Sequence, residues 1–249
     1  MEDLNEVIFL IWEALRLCPQ GHRDQSMSLN NLAECLSSRY QQLGAMEDLE
    51  EAIILNWEAL DLRPQGHPSP DWAMSLTNLA IHLFSQYKQL GAVQDLDDAI
   101  VLNREALDLC LQGHPDRAVS LTNLAVDLSS QYKQLGVVQD LDDAIVLHWE
   151  ALDLRPQGHP DREISLANLA IDLSSRFKQL RAVQDLDDAI VLDQEALDLC
   201  PQGHPDRAMS LNNLAVDLSS RYNVLGVMED LKEVESLHRE ESRSWLWPM

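Results

Sequence analysis

The stretch SLTNLAVDLSSQYKQLG, residues 120–136, decides the fold because related versions of it occur five times in the chain. Its NLA motif places a leucine at one position in every copy, and successive copies are spaced by 47, 45, 45 and 45 residues. Recurrence at such a period is typical of solenoids, in which each unit hides its apolar surface against its neighbours. The five leucines are Leu32, Leu79, Leu124, Leu169 and Leu214.

The first half of each unit, here called the A helix, has apolar side chains that step by three and four residues. That spacing predicts an amphipathic helix of about four turns. A proline of the preceding HPD motif, such as Pro115, suits the first turn, and a glycine such as Gly136 suits the C-cap. In the third copy the apolar residues are Leu121, Leu124, Ala125, Leu128, Tyr132 and Leu135.

The second half, VQDLDDAIVLNREALDL over residues 93–109, predicts another helix, here called the B helix. An aspartate such as Asp95 is expected to cap its start. The chain opens on a B-type segment and then alternates five A with five more B segments, so we predict an all-α solenoid of stacked antiparallel pairs with about 11 helices. Residues 1–249 are expected to form one domain, with a half repeat over 1–21, full repeats over 22–66, 67–113, 114–158 and 159–203, and a degenerate last repeat with a tail over 204–249.

These units resemble the tetratricopeptide repeat, in particular the long variety of kinesin light chains. The segments SLNNLAVDLSSRY, DDAIVL, EALDL and GHPD are similar to the family's LNNLA, EEA, RAL and HPD signatures. Leu124 and Ala125 take the large and small positions of the A helix, and Ala144 and Ala151 take the small positions of the B helix. The resemblance covers essentially the whole chain and implies a right-handed superhelix. Arrays of this kind look like those of fungal multidomain proteins, some of which carry a caspase-like protease or an NTPase domain.

One polar position of the A helix holds an asparagine in all five copies. In the third copy Asn123, Asp127 and Ser130 follow the spacing i, i+4, i+7, which predicts one shared face. In the resembled family the A helices line a concave groove, where asparagines at this position hydrogen-bond the backbone of an extended peptide. The alternative is that each amide bonds a neighbouring helix or loop and fixes the stack. The predicted peptide-binding ladder is Asn31, Asn78, Asn123, Asn168, Asn213, Asp127, Asp172, Asp217, Ser130, Ser175 and Ser220.

Charge separates the two kinds of helix. The A segments are neutral and the B segments carry the whole net charge of −24, which argues against a nucleic-acid partner. The acidic B wall serves either solubility or the docking of a basic partner segment. Trp12, Trp57 and Trp149 share one B-helix position with the polar Arg104 and Gln194, which predicts a partly exposed site able to anchor a partner.

The recurring histidines and cysteines do not predict a metal site or disulfides. Histidines one repeat apart are too distant to share a metal ion, so a loop or capping role is expected. The cysteines that recur at one position lie two units apart and indicate thiols in a reducing compartment. These residues are His22, His67, His114, His159 and His204, and Cys18, Cys110 and Cys200.

The chain contains no glycine-rich phosphate loop, GxSxG or HExxH motif, and its carboxylates repeat identically instead of forming one unequal constellation. We therefore expect no enzyme, catalytic residue, metal or cofactor. The opening apolar run is too short for a signal peptide or a membrane span, so a cytoplasmic location is expected.

Three functions fit the sequence. The first is a scaffold that binds an extended segment of a partner protein along the A-helix groove. The second is a sensor or docking arm of a larger protein whose catalytic domain, a caspase-like protease or an NTPase, lies elsewhere. The third is an architectural spacer that self-associates through uncapped ends.

Overall fold

The computed structural model describes residues 2–17, 23–62 and 70–244, and these ranges form eleven α-helices and no strand. The predicted all-α solenoid of helix pairs is confirmed. The A helices are α2 (Arg23–Leu43), α4 (Pro70–Leu90), α6 (Arg117–Leu135), α8 (Arg162–Leu180) and α10 (Arg207–Leu225). The B helices are α1 (Glu2–Leu17), α3 (Met46–Asp61), α5 (Val93–Leu109), α7 (Val138–Asp153), α9 (Val183–Leu199) and α11 (Met228–Ser244).

The chain divides into two compact units, Met1–Asp127 and Leu128–Met249, with the boundary inside α6. The expectation of one domain over residues 1–249, with the repeat limits given above, stays a prediction. None of the helices in the described ranges is both long and apolar enough for a membrane crossing.

In the first unit, the A helices α2 and α4 are each packed between two B helices. One core cluster joins α1, α2 and α3 around Leu32, and a second joins α3, α4 and α5 around Leu79. Both leucines are fully buried, because each A helix directs its apolar stripe into the space between two B helices.

The second unit repeats this arrangement. One cluster joins α7, α8 and α9 around Leu169, and another extends from Phe177 of α8 through α9 and α10 to α11. Small residues on the B helices, such as Ala189 and Ala196, are fully or almost fully buried and let the A helix approach closely.

The A helices also touch one another. In the first unit α2 contacts α4, and in the second α8 contacts α10, whereas no two B helices within the described part of either unit make such contacts. Within each unit the A helices lie close to one another, whereas the B helices lie farther apart. The A helices therefore form the inner surface of each unit.

The ends of the A helices follow the glycine prediction with one exception. Gly136 ends α6 at φ 72°, a left-handed conformation that costs glycine little. At the equivalent position Arg181 ends α8 at φ 59°, and its guanidinium lies over the ring of Phe177, 5.7 Å from its centroid. This cation–π contact offsets part of the backbone cost.

The predicted starts of the helices need two corrections. Helices α6, α8 and α10 begin two residues after the HPD prolines, so Pro115 precedes the first turn instead of occupying it. The B helices α3, α5, α7 and α9 have alanine or valine at the N-cap and no side-chain cap, so Asp95 does not cap α5. As shown below, the equivalent aspartates Asp48, Asp185 and Asp230 bind arginines of the A helices.

Candidate functional site

The five asparagines occupy equivalent positions on the A helices, three in the first unit and two in the second. Asn31 is exposed, and Asn78, Asn123, Asn168 and Asn213 are half-buried. The Nδ2 atoms of Asn123 and Asn213 are buried and lack a hydrogen-bond partner. An asparagine amide carries both a donor and an acceptor, the two kinds of group that a peptide backbone presents.

Apolar side chains flank each asparagine on the same helix face. An exposed apolar residue lies four positions before every asparagine, and another apolar residue lies three positions after it in all A helices except α2. Residues at these spacings are surface neighbours. The preceding set is Met27, Met74, Val119, Ile164 and Met209, and the following set is Ile81, Val126, Ile171 and Val216.

The predicted serines complete this face, since they lie seven residues after the asparagines and are half-buried. The hydroxyl groups of Ser175 and Ser220 donate to the carbonyl oxygens four residues earlier, at 2.7 and 2.8 Å. Their donor is therefore used inside the helix, and their oxygen remains an acceptor. Ser130 holds the same position in α6.

The predicted aspartates do not belong to this exposed face, and that part of the expected ladder needs correction. Asp127, Asp172 and Asp217 are 2%, 2% and 4% exposed, although each lies only four residues after an asparagine. The helix turns them toward the preceding B helix. We call the exposed set the amide face: in each A helix it consists of the asparagine, the apolar residues flanking it and the serine. We call the positions of the aspartates the buried polar row.

The buried polar row is paired with a polar position of the B helix that the sequence analysis did not recognise. Each pair joins a B helix to the A helix that follows it. Asn56 Nδ2 lies 2.8 Å from His82 Nδ1, and Asn103 donates to Asp127 at 2.7 Å. The signal was present, because one position inside the otherwise apolar B-helix stripe is polar in four units. Its residues are Asn56, Asn103, His148 and Asp193.

Asp172 joins three helices at once. It accepts hydrogen bonds from Ser129 of α6 at 2.7 Å and from His148 of α7 at 2.9 Å. Both Asp172 and His148 are almost completely buried, so the hydrogen bond between them is shielded from water. Such an arrangement fixes the register of three helices.

The equivalent junction in α10 has an acid pair. Ser174 of α8 donates to Asp217, and Asp193 of α9 faces the same carboxylate. Burial, followed by the charge of Asp217, raises the pKa of Asp193 to about 8, and burial also raises the pKa of Asp217. The two carboxyl groups therefore hold a proton between them near neutral pH.

Two other junctions show how burial acts on a single titratable group. Burial raises the pKa of Asp127 to about 7, although the hydrogen bond from Asn103 favours the charged form. Burial lowers the pKa of His82 to about 4, so this imidazole is neutral at pH 7. Equivalent positions of the buried polar row therefore carry side chains whose pKa values are shifted in opposite directions in different repeats.

Arginines of three A helices hold the start of the following B helix. Arg176 of α8 binds both carboxylate oxygens of Asp185 at 2.9 and 2.7 Å, and reaches Asp142 of α7 at 3.0 Å. These bonds strongly raise the pKa of Arg176. The other two pairs are Arg39 with Asp48 and Arg221 with Asp230.

The histidines of the three described GH loops act as predicted. In each, Nδ1 accepts the backbone N–H of the aspartate two residues later, which satisfies a donor near the helix start. The distances are 3.2 Å for His114 and Asp116, 3.1 Å for His159 and Asp161, and 3.3 Å for His204 and Asp206. His22 and His67 lie outside the described residues.

The remaining candidates are surface aromatic residues and thiols. Trp12, Trp57 and Trp149 are partly exposed, which confirms that prediction. Cys110 and Cys200 are buried and carry no disulfide, and Cys18 lies outside the described residues. In the described ranges no cluster of histidine, cysteine, aspartate and glutamate is arranged to bind a metal ion.

Comparisons with known proteins agree with this architecture. A family model described as the tetratricopeptide repeat matches residues 72–116. The kinesin light chain nearly identical TPR-like repeats of Podosopora anserina are 20% identical, with a TM-score of 0.62 over 89% of this chain and 99% of that one. BtubC (BKLC) from P. vanneervenii is also 20% identical, with a TM-score of 0.63 over 98% of this chain and 91% of the other. None of the curated proteins matches the chain.

Residues 72–116 thus match the tetratricopeptide repeat model, and the helix pairs have the fold of these solved TPR-like repeats. The predicted likeness to the long repeats of kinesin light chains is confirmed.

Proposed function

We propose that this chain is an interaction scaffold whose amide face binds an extended segment of a partner protein. The observation that supports it best is the repeated surface combination of an asparagine amide with exposed apolar side chains four residues before and, in most A helices, three residues after it. The amide serves a peptide group as donor and acceptor, and the apolar residues receive side chains.

The spacing of the A helices fits an extended ligand. Packed helices lie about 8–10 Å apart and an extended chain advances about 3.3 Å per residue, so a peptide crossing the A helices meets a new asparagine about every three residues. An extended peptide on this path can hydrogen-bond an asparagine with some of its backbone N–H and C=O groups. A helical ligand has no such need, because its backbone groups are already paired with one another.

The charge distribution restricts the partner segment. The A segments are neutral and the B segments carry the acidic charge, so the amide face selects for apolar and uncharged side chains rather than for a basic sequence. We expect a protein partner rather than a nucleic acid or a membrane. We assign no reaction to the chain. Cys110 and Cys200 are free thiols, which is consistent with a cytoplasmic location.

The proposal is tested by partner capture from cell extract with the triple variant Asn78→Ala, Asn123→Ala, Asn168→Ala. The matched control removes the same number of amides from exposed B-helix positions, in the variant Gln94→Ala, Gln139→Ala, Gln184→Ala. Both variants must retain the wild-type helix content and urea midpoint.

We expect the asparagine variant to lose at least tenfold in recovery of the wild-type partners, and the glutamine variant to retain them. Equal recovery by the wild type and the folded asparagine variant contradicts the proposal.

A second surface favours a different partner. Trp12 and Trp57 in the first unit, and Trp149 in the second, are exposed on the acidic B helices. Each follows an exposed apolar residue by three positions, namely Phe9, Ile54 and Val146. Apolar anchors within an acidic wall fit a basic amphipathic segment.

This second mode predicts capture that falls steeply between about 50 and 500 mM salt and falls again in Trp57→Ala. Capture that depends on the asparagines and is insensitive to salt argues against it.

A further inference from the structure

Two B helices carry an exposed tryptophan beside an exposed carboxylate. Trp57 of α3 is 44% exposed and Trp149 of α7 is 40% exposed, and each precedes an exposed aspartate by four residues. Residues at this spacing are neighbours on a helix surface, so the indole ring and the carboxylate border the same spot. We call Trp57 with Asp61, and Trp149 with Asp153, the indole–carboxylate pairs.

The position of these pairs within their helices adds to the negative potential. Helices α3 and α7 end at Asp61 and Asp153, and neither has a basic residue in its last turn. The carbonyl groups exposed at a helix C-terminus favour a cation there. Arg155, which follows α7, is buried and donates to Ser165, so its guanidinium is withdrawn from this surface. The corresponding Arg63 after α3 lies outside the described residues.

The equivalent places in α1 and α9 are built differently. Trp12 of α1 is followed at the fourth position by Arg16, a basic residue in the last turn that pairs with Glu13 at 2.9 Å. In α9 Gln194 replaces the tryptophan, and its Nε2 donates to Asp198 at 3.3 Å. The chain therefore supplies its own cation in α1 and its own N–H donor in α9, whereas α3 and α7 have an aromatic ring next to a carboxylate.

We propose that each indole–carboxylate pair binds an arginine side chain of a basic partner segment. A guanidinium is planar, so it stacks on the indole ring and at the same time donates two parallel hydrogen bonds to the carboxylate. A lysine ammonium is a compact and strongly hydrated charge that lacks this bidentate geometry. The inference rests on the second mode of the proposed function, in which B helices hold a basic segment, and it names the residue that this mode selects.

The test compares two labelled peptides by fluorescence anisotropy on titration with the full chain at low salt. One peptide is rich in arginine, and the other has lysine at every arginine position, so the two carry the same charge. The tryptophans are replaced in the variant Trp57→Gln, Trp149→Gln, which copies Gln194 of α9. Leucine at both positions provides a second variant if the urea midpoint of the first departs from the wild type.

The carboxylates are tested with a matched control of the same net charge. The variant Asp61→Asn, Asp153→Asn changes both indole–carboxylate pairs. The control Asp108→Asn, Asp198→Asn makes the same change at the equivalent exposed positions of α5 and α9, where Arg104 and Gln194 take the place of the tryptophans.

We expect the wild type to bind the arginine peptide at least about fivefold more tightly than the lysine peptide, because only arginine both stacks and bonds in two places. The tryptophan variant should bind both peptides equally. The variant of Asp61 and Asp153 should lose at least about threefold in affinity for the arginine peptide, and its control less than about twofold.

Equal affinity of the wild type for the two peptides, or equal losses in the two aspartate variants, overturns this inference and leaves the second mode resting on net charge alone. Absence of binding by both peptides overturns the second mode as well. The amide face is tested separately by the asparagine variant, so the two kinds of failure are distinguishable.

Discussion

The amide face and the buried polar row lie four residues apart on the same helices, yet their surroundings are opposite. Asn168 is half-buried and borders exposed apolar residues, whereas Asp172 is buried and joins α6, α7 and α8. In an A helix packed by neighbours on several sides, a rotation of about 40° separates a surface position from an interior one. The comparison separates the row that we propose for partner recognition from the row whose hydrogen bonds join neighbouring helices.

The largest effect is expected from removal of the central acceptor in Asp172→Ala. This substitution leaves Ser129 and His148 without their buried partner, so the apparent free energy of unfolding falls by about 3 kcal/mol. Urea titration measures the change, and hydrogen exchange locates the loosening in α6, α7 and α8. The control Asn168→Ala is expected to change stability by less than about 0.5 kcal/mol. Equal losses in the two variants contradict the comparison.

A pH-dependent effect of about 2 kcal/mol is expected at the Asp193 and Asp217 junction. The folded pKa of Asp193, about 8, lies above its unfolded value near 3.9, so folding retains a proton that the unfolded chain releases. This contribution is complete below about pH 4 and is lost as pH rises through about 8. When Asp193 ionises at high pH, water that enters the junction lowers the free-energy cost of its buried charge. The resulting loss of stability is therefore expected to be smaller than that caused by Asp172→Ala.

The variant Asp193→Asn tests this effect, because Asn103 already holds Asp127 in the same arrangement. Thermal midpoints measured between pH 5.5 and 9 should fall more steeply in the wild type than in the variant. The variant should be the more stable protein at pH 9. Parallel curves would show that Asp193 does not titrate in this range.

Loss of one arginine contact is expected to lower the free energy of unfolding by about 1 kcal/mol and to leave partner binding unchanged. Arg176→Gln removes the bonds to Asp185 and Asp142, which are partly solvent-accessible and therefore contribute modestly. The chain offers its own precedent, since Gln131 occupies the equivalent place in α6. Urea titration should show this loss with partner capture unchanged, and reduced capture in a variant of wild-type stability would contradict the separation of roles.

The smallest effect is expected on the amide face itself. Asn123→Ala removes a buried donor that has no partner, so the free energy of unfolding should stay within about 0.5 kcal/mol and any change should be stabilising. A calorimetric midpoint compared with that of Asn168→Ala checks the sign. A loss above 1 kcal/mol would place Asn123 among the residues that hold the repeats together.

The sequence predicted the helices, their pairing and the repeat because these depend on local periodicity. Leu124 and Ala125, for instance, could be assigned to the core from the three-and-four spacing alone. It also predicted the capping histidines, whose motif is short and local.

The mistake about Asp127, Asp172 and Asp217 has a physical cause. A helical wheel shows which residues share a face but not which neighbouring helices cover that face. The polar partners lie 24 residues earlier, on the preceding B helix, in the pairs Asn103 with Asp127 and His148 with Asp172. Only a comparison of both helices across all units reveals that two polar positions recur together.

Site-specific photocrosslinking tests the central claim most directly. One variant carries p-benzoylphenylalanine in place of Asn168 on the amide face, and the other carries it in place of Val191, exposed on the B helix α9. Both are irradiated in cell extract after their urea midpoints have been matched to the wild type, and the linked peptides are sequenced by mass spectrometry. The account predicts crosslinks from residue 168 to one continuous segment of a partner and none to that segment from residue 191. Crosslinks to that segment from residue 191 alone, or equally from both positions, would contradict it.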